Sequence, residues 1–280
     1  MAVEHPSMRT LSILACTLSL SGCGSSSPST PSAPSAPAST TTTATTTTIA
    51  PIAPFLFDYD AAVTIVDRAT IEAGFPMCQS YFQSIFGVTT ADGIIVSVKA
   101  DSNSVDQAGG RRISVSTLND SWLVVGRAQR TKILCHELFH ILQDQTSWSR
   151  DDTHWFLEGA AEYVGYASII SNGQASYDEV KTCQIDNYFG AGGNSIVPLE
   201  QLSFPASRGS YLVGWLALDK LLGGLGGVPT LSRYWQAGAW PQSFTSVFGF
   251  RADAFYTDFS QYRTTLRSSG TKSCAGLNSR

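Results

Sequence analysis

Charged residues are scarce in this chain, and their scarcity limits the partners that it can have. Asp, Glu, Lys and Arg make up 14% of the 280 residues, against about 25% in an average soluble protein. The formal net charge is only −4, and Lys and Arg form no run. Proteins that bind nucleic acid usually present clustered basic side chains to the phosphate backbone. The composition therefore gives no support to a nucleic-acid partner, while the apolar fraction of 43% is enough for a sizeable core.

The apolar run near the N-terminus is too short to cross a bilayer. It covers residues 11–20, whereas a transmembrane helix needs about 20 residues. A short apolar run after Met8 and Arg9 is the plan of a secretory signal peptide. The run ends in LSGC, which resembles the cleavage box of bacterial lipoproteins, whose cysteine becomes the lipidated first residue. We therefore expect a signal peptide over residues 1–23 and lipidation of Cys23. The alternative is an ordinary signal peptide with an unrelated cysteine.

Residues 24–54 contain no charged residue and consist mainly of Ser, Thr, Pro and Ala. A segment of this composition cannot bury enough apolar surface to offset the entropy lost on ordering. We predict that it is a disordered tether between the lipid and a folded domain over residues 55–280. The protein is then expected outside the cytoplasm of a bacterium, anchored through its lipid to the cell membrane or the outer membrane.

Four cysteines remain in the predicted folded domain, Cys78, Cys135, Cys183 and Cys274. An even number in an exported domain permits two disulfides, because disulfides persist in oxidising compartments. Four cysteines allow three connectivities, and the sequence does not select among them. Four buried free thiols are the alternative.

The folded region begins with a mixture of helical and strand patterns. Residues 61–87 carry apolar residues at helical spacing around a Gly-Phe-Pro interruption, which predicts two short helices. β-Branched and apolar residues predict strands over residues 93–101, 111–118 and 121–128. After these strands the chain becomes mainly helical, beginning with a helix over residues 131–145. Strands followed by helices indicate an α+β domain with a small mixed sheet.

The segment HELFH, at residues 136–140, places two of the chain's four histidines one helical turn apart. On a helix, His136 and His140 share a face, and their imidazoles can converge on one metal ion. Glu137 is rotated by about 100° from His136 and can reach a water on that ion. Zinc suits imidazole ligands, and its catalytic sites combine three protein ligands with a water. We therefore expect a zinc site with Glu137 as general base. Two histidines with ordinary structural roles are the alternative.

The residues after His140 distinguish classes of zinc peptidase. One class continues as HExxHxxGxxH, and Gln143 and Thr146 at its last two defined positions exclude that class. Further on, the segment WFLEGAAEY at residues 155–163 resembles the WLNEGFA element of the gluzincin metallopeptidases, whose glutamate is the third zinc ligand. The resemblance implies that Glu158 is that ligand and that the fold is zincin-like. Seventeen residues separate it from His140, against about eighteen in the aminopeptidase-type gluzincins.

Residues near Glu158 could replace it as the third zinc ligand or could orient another ligand. In thermolysin-like gluzincins an acid one turn later orients a zinc-bound histidine, and the resemblance implies this role for Glu162. His154 lies one turn before Glu158 and is the first alternative as third ligand. Asp151 and Asp152 are a further alternative, as in zincins that use an aspartate.

A third element concerns the transition state, which needs a hydrogen-bond donor for the developing oxyanion. The segment GSYLVGWLALDKL at residues 209–221 resembles the SYxKGxxxLxxL helix of aminopeptidase-like gluzincins, whose tyrosine is that donor. The resemblance implies this role for Tyr211, although Val213 stands where the family often has lysine. An aromatic residue packed in a helical core is the alternative. Residues 243–263 resemble the closing helices of small peptidase-MA-type domains and imply no chemistry.

These elements together predict a lipid-anchored zinc metallopeptidase of gluzincin type that hydrolyses peptides or proteins. The GxMEN element, with which aminopeptidases of this clan bind a free N-terminus, does not occur, so endo- and exopeptidase action both remain open. A zincin-fold lipoprotein that binds a partner without catalysis is the second hypothesis. Hydrolysis of a non-peptide bond is the third, because the same metal chemistry serves other carbonyl substrates.

Overall fold

The computed structural model of the protein describes residues 55–102, 107–146, 153–202, 208–238, 240–270 and Leu277. These residues fall within the compact unit Ile49–Arg280. The predicted signal peptide, the lipidation site Cys23 and the predicted tether lie outside the described residues. Among the helices in the described ranges, none has both the length and the apolar character needed to span a bilayer.

The sheet lies at the N-terminal end of the described chain and has four strands. They are β1 (Phe55–Tyr59), β2 (Ile94–Lys99), β3 (Gln107–Gly109) and β4 (Arg112–Ser116), in the spatial order β1-β2-β4-β3. β2 pairs in parallel with β1 and β4, whereas β3 pairs antiparallel with β4. Alternate residues of β2 are buried, as expected when one face of a sheet packs on a core. The strands predicted over 93–101 and 111–118 are confirmed.

Helices make up most of the rest of the described chain. They are α1 (Ile65–Phe86), α2 (Asp120–Leu123), α3 (Arg127–Gln145), α4 (His154–Ser171), α5 (Tyr177–Gly190), α6 (Arg208–Leu222), α7 (Thr230–Gln236), α8 (Gln242–Phe248) and α9 (Ala252–Thr265). Short 3-10 helices lie at Gly193–Ser195, Leu199–Gln201 and Leu225–Gly227. The fold is therefore mixed α+β, mostly helical with a small sheet, as predicted at that level.

The prediction of two short helices over residues 61–87 is wrong, because α1 runs unbroken through Pro76. A proline inside a helix removes one backbone hydrogen bond and costs about 3 kcal/mol. The surrounding turns offset this cost by burying a continuous apolar face, which includes Phe75, Cys78 and Phe82. The interruption predicted from Gly-Phe-Pro is thus overridden by tertiary packing.

The strand predicted over residues 121–128 is also wrong, because this segment forms α2 and the beginning of α3. The side chain of Asn119 accepts a hydrogen bond from the backbone N–H of Trp122 at 3.0 Å and caps α2. Trp122 is fully buried and donates from its indole nitrogen to Asp67 at 2.8 Å. Leu123 and Val124 remain 50% and 70% exposed. A short apolar run is therefore compatible with a capped helical turn as well as with a strand.

α3 is the helix that carries HELFH, and it begins four residues before the predicted start at 131. Its apolar stripe of Leu134, Leu138, Ile141 and Leu142 is buried. At the edge of this stripe, Cys135 forms a disulfide with Cys78 of α1, across a sequence separation of 57 residues. A disulfide that closes a loop of this length typically stabilises a fold by about 2–4 kcal/mol. α3 is thereby fixed covalently at the residue directly before His136.

The Cys78–Cys135 disulfide decides between disulfides and free thiols for two of the four cysteines. The alternative of free thiols is wrong for Cys78 and Cys135. Cys183 is disulfide-bonded as well. Cys274 lies outside the described residues.

Candidate metal centre

Two packed helices bring together the three predicted ligands. α3 presents His136 and His140 one turn apart, and α4, which packs along α3, presents Glu158. The Nε2 atoms of the two histidines lie 3.1 Å apart. Glu158 Oε2 lies 3.4 Å from His136 Nε2 and 3.3 Å from His140 Nε2. His136, His140 and Glu158 therefore form a group that could hold a metal ion.

The spacing of these three atoms matches what a small metal ion requires. Four ligands in a tetrahedron with bonds of about 2.0–2.1 Å lie about 3.3–3.4 Å from one another. The observed separations of 3.1, 3.3 and 3.4 Å fall close to this value. The three atoms therefore already lie at about the spacing of ligands around one ion.

The other ring nitrogen of each histidine faces an acceptor. His136 Nδ1 lies 3.1 Å from Glu162 Oε2, and His140 Nδ1 lies 2.6 Å from Gln143 Oε1. Gln143 is oriented by its own amide nitrogen, which donates to the carbonyl oxygen of Leu157 at 3.1 Å. Both Nδ1 atoms must therefore carry the hydrogen, because a carboxylate and an amide oxygen can only accept. In neutral imidazoles, the form that binds a metal, the two Nε2 atoms would then carry the lone pairs.

Three potential ligand atoms thus converge on one point, where a positive charge, on a proton or on a metal ion, would be stabilised. Burial alone would lower the pKa of His136, but hydrogen bonds to Glu158 and Glu162 outweigh it and raise this pKa to about 10. Burial would raise the pKa of Glu158, but hydrogen bonds to His136 and His140 hold it well below its usual range. The carboxylate is therefore ionised at neutral pH. The raised pKa of His136 and the lowered pKa of Glu158 both indicate a site whose surroundings stabilise positive charge.

Glu137 lies beside this group without belonging to it. Its Oε1 is 4.0 Å from His136 Nε2, and the residue is buried. The position follows from the helix, since one residue of advance along α3 turns the side chain by about 100°. A carboxylate at this distance could accept a hydrogen bond from a molecule bound beside the ligand group.

Tyr211, on α6, faces the same group. Its ring centroid lies 5.8 Å from that of His136, in an edge-to-face arrangement. Burial raises the pKa of the Tyr211 phenol, and the nearby charges of Glu158 and Glu137 raise it further. The hydroxyl is therefore neutral at physiological pH and can donate a hydrogen bond. The structure thus places the Tyr211 ring next to a candidate metal ligand.

Glu162 lies one turn after Glu158 on α4 and is buried. It contacts His136 and also forms an ion pair with Lys132, whose Nζ lies 2.8 Å from each carboxylate oxygen. Burial would raise the pKa of Glu162, but the charge of Lys132 and the hydrogen bond to His136 lower it to about 2. Lys132 and Gln143 were not among the predicted site residues. In the sequence, only their helical spacing from the histidines indicates that they could lie near the site: Lys132 is one turn before His136, and Gln143 is three residues after His140.

The structure describes one of the alternative third ligands, His154, but not Asp151 or Asp152. His154 begins α4 and is partly buried, but it is not part of the ligand group found among the described residues. Burial lowers the pKa of His154, so the ring is neutral at physiological pH. Asp151 and Asp152 lie outside the described residues.

A close crossing of α4 and α6 connects the ligand helix to the helix of Tyr211. Gly159 follows Glu158, and a Cβ atom added there would lie 2.8 Å from the carbonyl oxygen of Gly214. A Cβ atom at Gly214 would likewise lie 3.0 Å from the Cα of Gly159. Backbone atoms cannot yield as a flexible side chain can. The two helices therefore depend on both glycines for their separation.

Gly159→Ala is expected to destabilise the protein by about 1–3 kcal/mol, because the added methyl group forces α4 and α6 apart. Urea unfolding followed by circular dichroism measures the change. The control is Gly190→Ala, at the end of α5, where an added Cβ meets no atom within 4 Å. This control should stay within about 0.5 kcal/mol of the wild type. Equal stability of the two variants would show that the helix crossing tolerates a side chain.

Comparisons with known proteins do not assign this chain to a family. No model of a known protein family matches it, and no curated protein is similar enough to match.

Proposed function

We propose that this protein is a zinc-dependent peptidase of gluzincin type with a zincin-like fold. The observation that carries the proposal is the convergence of His136, His140 and Glu158 at tetrahedral spacing, with Glu137 beside them. Two imidazoles and one carboxylate are a ligand set typical of catalytic zinc. The described group has three ligands, whereas structural zinc sites are usually closed by four. With three ligands among the described residues, the fourth position of a zinc ion would be available to water or substrate.

Zinc in this site would polarise a substrate carbonyl and lower the pKa of a coordinated water toward about 7. Glu137 accepts the proton of the attacking water and delivers it to the leaving amine. The Tyr211 hydroxyl donates a hydrogen bond to the carbonyl oxygen as negative charge develops on it. Glu162 and Gln143 keep the two imidazoles in the tautomer that directs Nε2 inwards.

We further propose that the protein acts outside the cytoplasm, attached to a bacterial membrane through a lipid on Cys23. This proposal comes from the sequence of residues 1–54. The buried disulfide Cys78–Cys135 supports it, because such bonds persist mainly in oxidising compartments.

The test combines metal analysis with a search for cleavage. The purified protein is expected to contain about one zinc per chain and to cut a mixture of unstructured peptides, as identified by mass spectrometry. A chelator should abolish cleavage, and added zinc should restore it. Peptides with blocked and free N-termini, compared in the same assay, separate endo- from aminopeptidase action. A protein that binds no zinc contradicts the proposal. One that binds zinc without cleaving peptides favours the partner-binding lipoprotein.

A further inference from the structure

Lys132 is a buried cation one turn before His136 on α3. Its side chain is 12% exposed, and that of its partner Glu162 is 9% exposed. The Nζ atom contacts both carboxylate oxygens at 2.8 Å and lies 5.0 Å from the ring centroid of Tyr166. Burying a lysine is costly unless the charge is well paired. The buried Lys132–Glu162 ion pair lies next to His136, a candidate metal ligand, so a role in the metal centre is a reasonable explanation for it.

The crossing of α3 and α4 is shaped to receive this side chain. Gly165 of α4 lies against Lys132, and a Cβ atom there would be 2.9 Å from the Lys132 carbonyl oxygen and 3.3 Å from its Cγ and Cδ. Any other residue at position 165 would displace the lysine stem or the helix. Glycine at position 165 therefore leaves room for the lysine stem beside Glu162.

The pairing decides where the Glu162 carboxylate points. Oε2 of Glu162 is shared between Lys132 and His136 Nδ1, while Oε1 contacts Lys132. With two contacts to the ammonium, the carboxylate cannot rotate without losing one of them. Without the lysine, a buried carboxylate would keep one charged or polar partner among those described, the ring of His136. It could then rotate, and the contact with Nδ1 that orients the His136 ring would change with it.

We propose that Lys132 is a positioning residue of the metal centre, which fixes the Glu162 carboxylate and thereby orients the His136 ring toward the ion. The proposal rests on the zinc site of the proposed function. It assigns no contact between Lys132 and the metal or substrate. It does predict that the effect of Lys132 on metal binding passes through Glu162.

The experiment measures zinc affinity by competition with a chromophoric chelator. Lys132→Met is expected to weaken zinc binding by about 10-fold or more, the usual effect of losing a residue that supports a metal ligand. The visible absorption spectrum of the Co²⁺-substituted protein should change as well, because it reports ligand geometry. In a Glu162→Gln background, Lys132→Met should cause no further loss of affinity.

Lys181→Met is the matched control. Lys181 pairs with the buried carboxylate of Asp219 at 3.0 Å, and neither residue belongs to the ligand group. This variant should lose stability but keep the zinc affinity and the Co²⁺ spectrum of the wild type. A purely structural Lys132 would behave in the same way as Lys181.

Two results would overturn the role of Lys132. One is wild-type zinc affinity in Lys132→Met, and the other is an equal loss of affinity with and without Glu162. Both are measured in a protein whose wild type binds zinc, so they leave the proposed function intact. A wild type that binds no zinc overturns the proposed function and the role of Lys132 together.

Discussion

Replacing Glu137 with glutamine is expected to lower kcat/KM for peptide cleavage by about 10²–10⁴-fold, the range that general acid–base catalysis contributes. The amide has almost the same shape as the carboxylate but cannot accept a proton from water at neutral pH. Glu137 lies 4.0 Å from His136 Nε2 and outside the ligand group, so zinc should remain bound. Steady-state kinetics and zinc content, measured on the same preparation, separate the two effects.

A matched variant controls for the loss of one negative charge. Glu72→Gln alters an exposed carboxylate on α1 that accepts a hydrogen bond from the Tyr59 hydroxyl. It should leave kcat/KM within about two-fold of the wild type, because surface changes away from a site have small effects. Cleavage by Glu137→Gln at the wild-type rate would eliminate Glu137 as the base and require another group to receive the proton.

Local patterns predicted the elements whose side chains have a clear period. β2 alternates buried and partly exposed residues, and α3 carries an apolar stripe, so both were predicted within a few residues. α1 was divided at Pro76 because a local rule cannot register the burial of Phe75 and Phe82 on either side of it. β1 and β3 were not predicted at all. β3 has only three residues, and its existence depends on pairing with β4.

The metal centre could be predicted to the extent that its residues are close in sequence. His136, Glu137 and His140 follow from the geometry of a single helix. Glu158 lies on another helix, so its role came from a resemblance, and its approach to 3.3 Å from His140 depends on how α3 packs against α4. The same packing pairs Lys132 with Glu162 and Gln143 with the Leu157 carbonyl. No local pattern distinguishes these two side chains from ordinary surface residues of a helix.

Glu158→Ala is expected to weaken zinc binding by at least about 100-fold, more than the loss of an outer partner such as Glu162. Glu158 supplies the only negative charge within the ligand group, because both histidines bind through neutral imidazole. It is also the only one of the three ligands that α4 contributes, so its removal leaves the ion attached to α3 alone. Chelator competition measures the affinity, and cleavage should fall below detection when zinc is no longer retained.

His154→Ala distinguishes Glu158 from its competitor for the third position. His154 lies one turn earlier on α4 and outside the ligand group, so its removal should leave zinc affinity within about two-fold of the wild type. If His154→Ala loses zinc while Glu158→Ala retains it, the third ligand is His154 and the site is not of gluzincin type. If both variants lose zinc, the ion has four protein ligands. A site closed in this way favours the structural role, and hence the partner-binding lipoprotein, over hydrolysis.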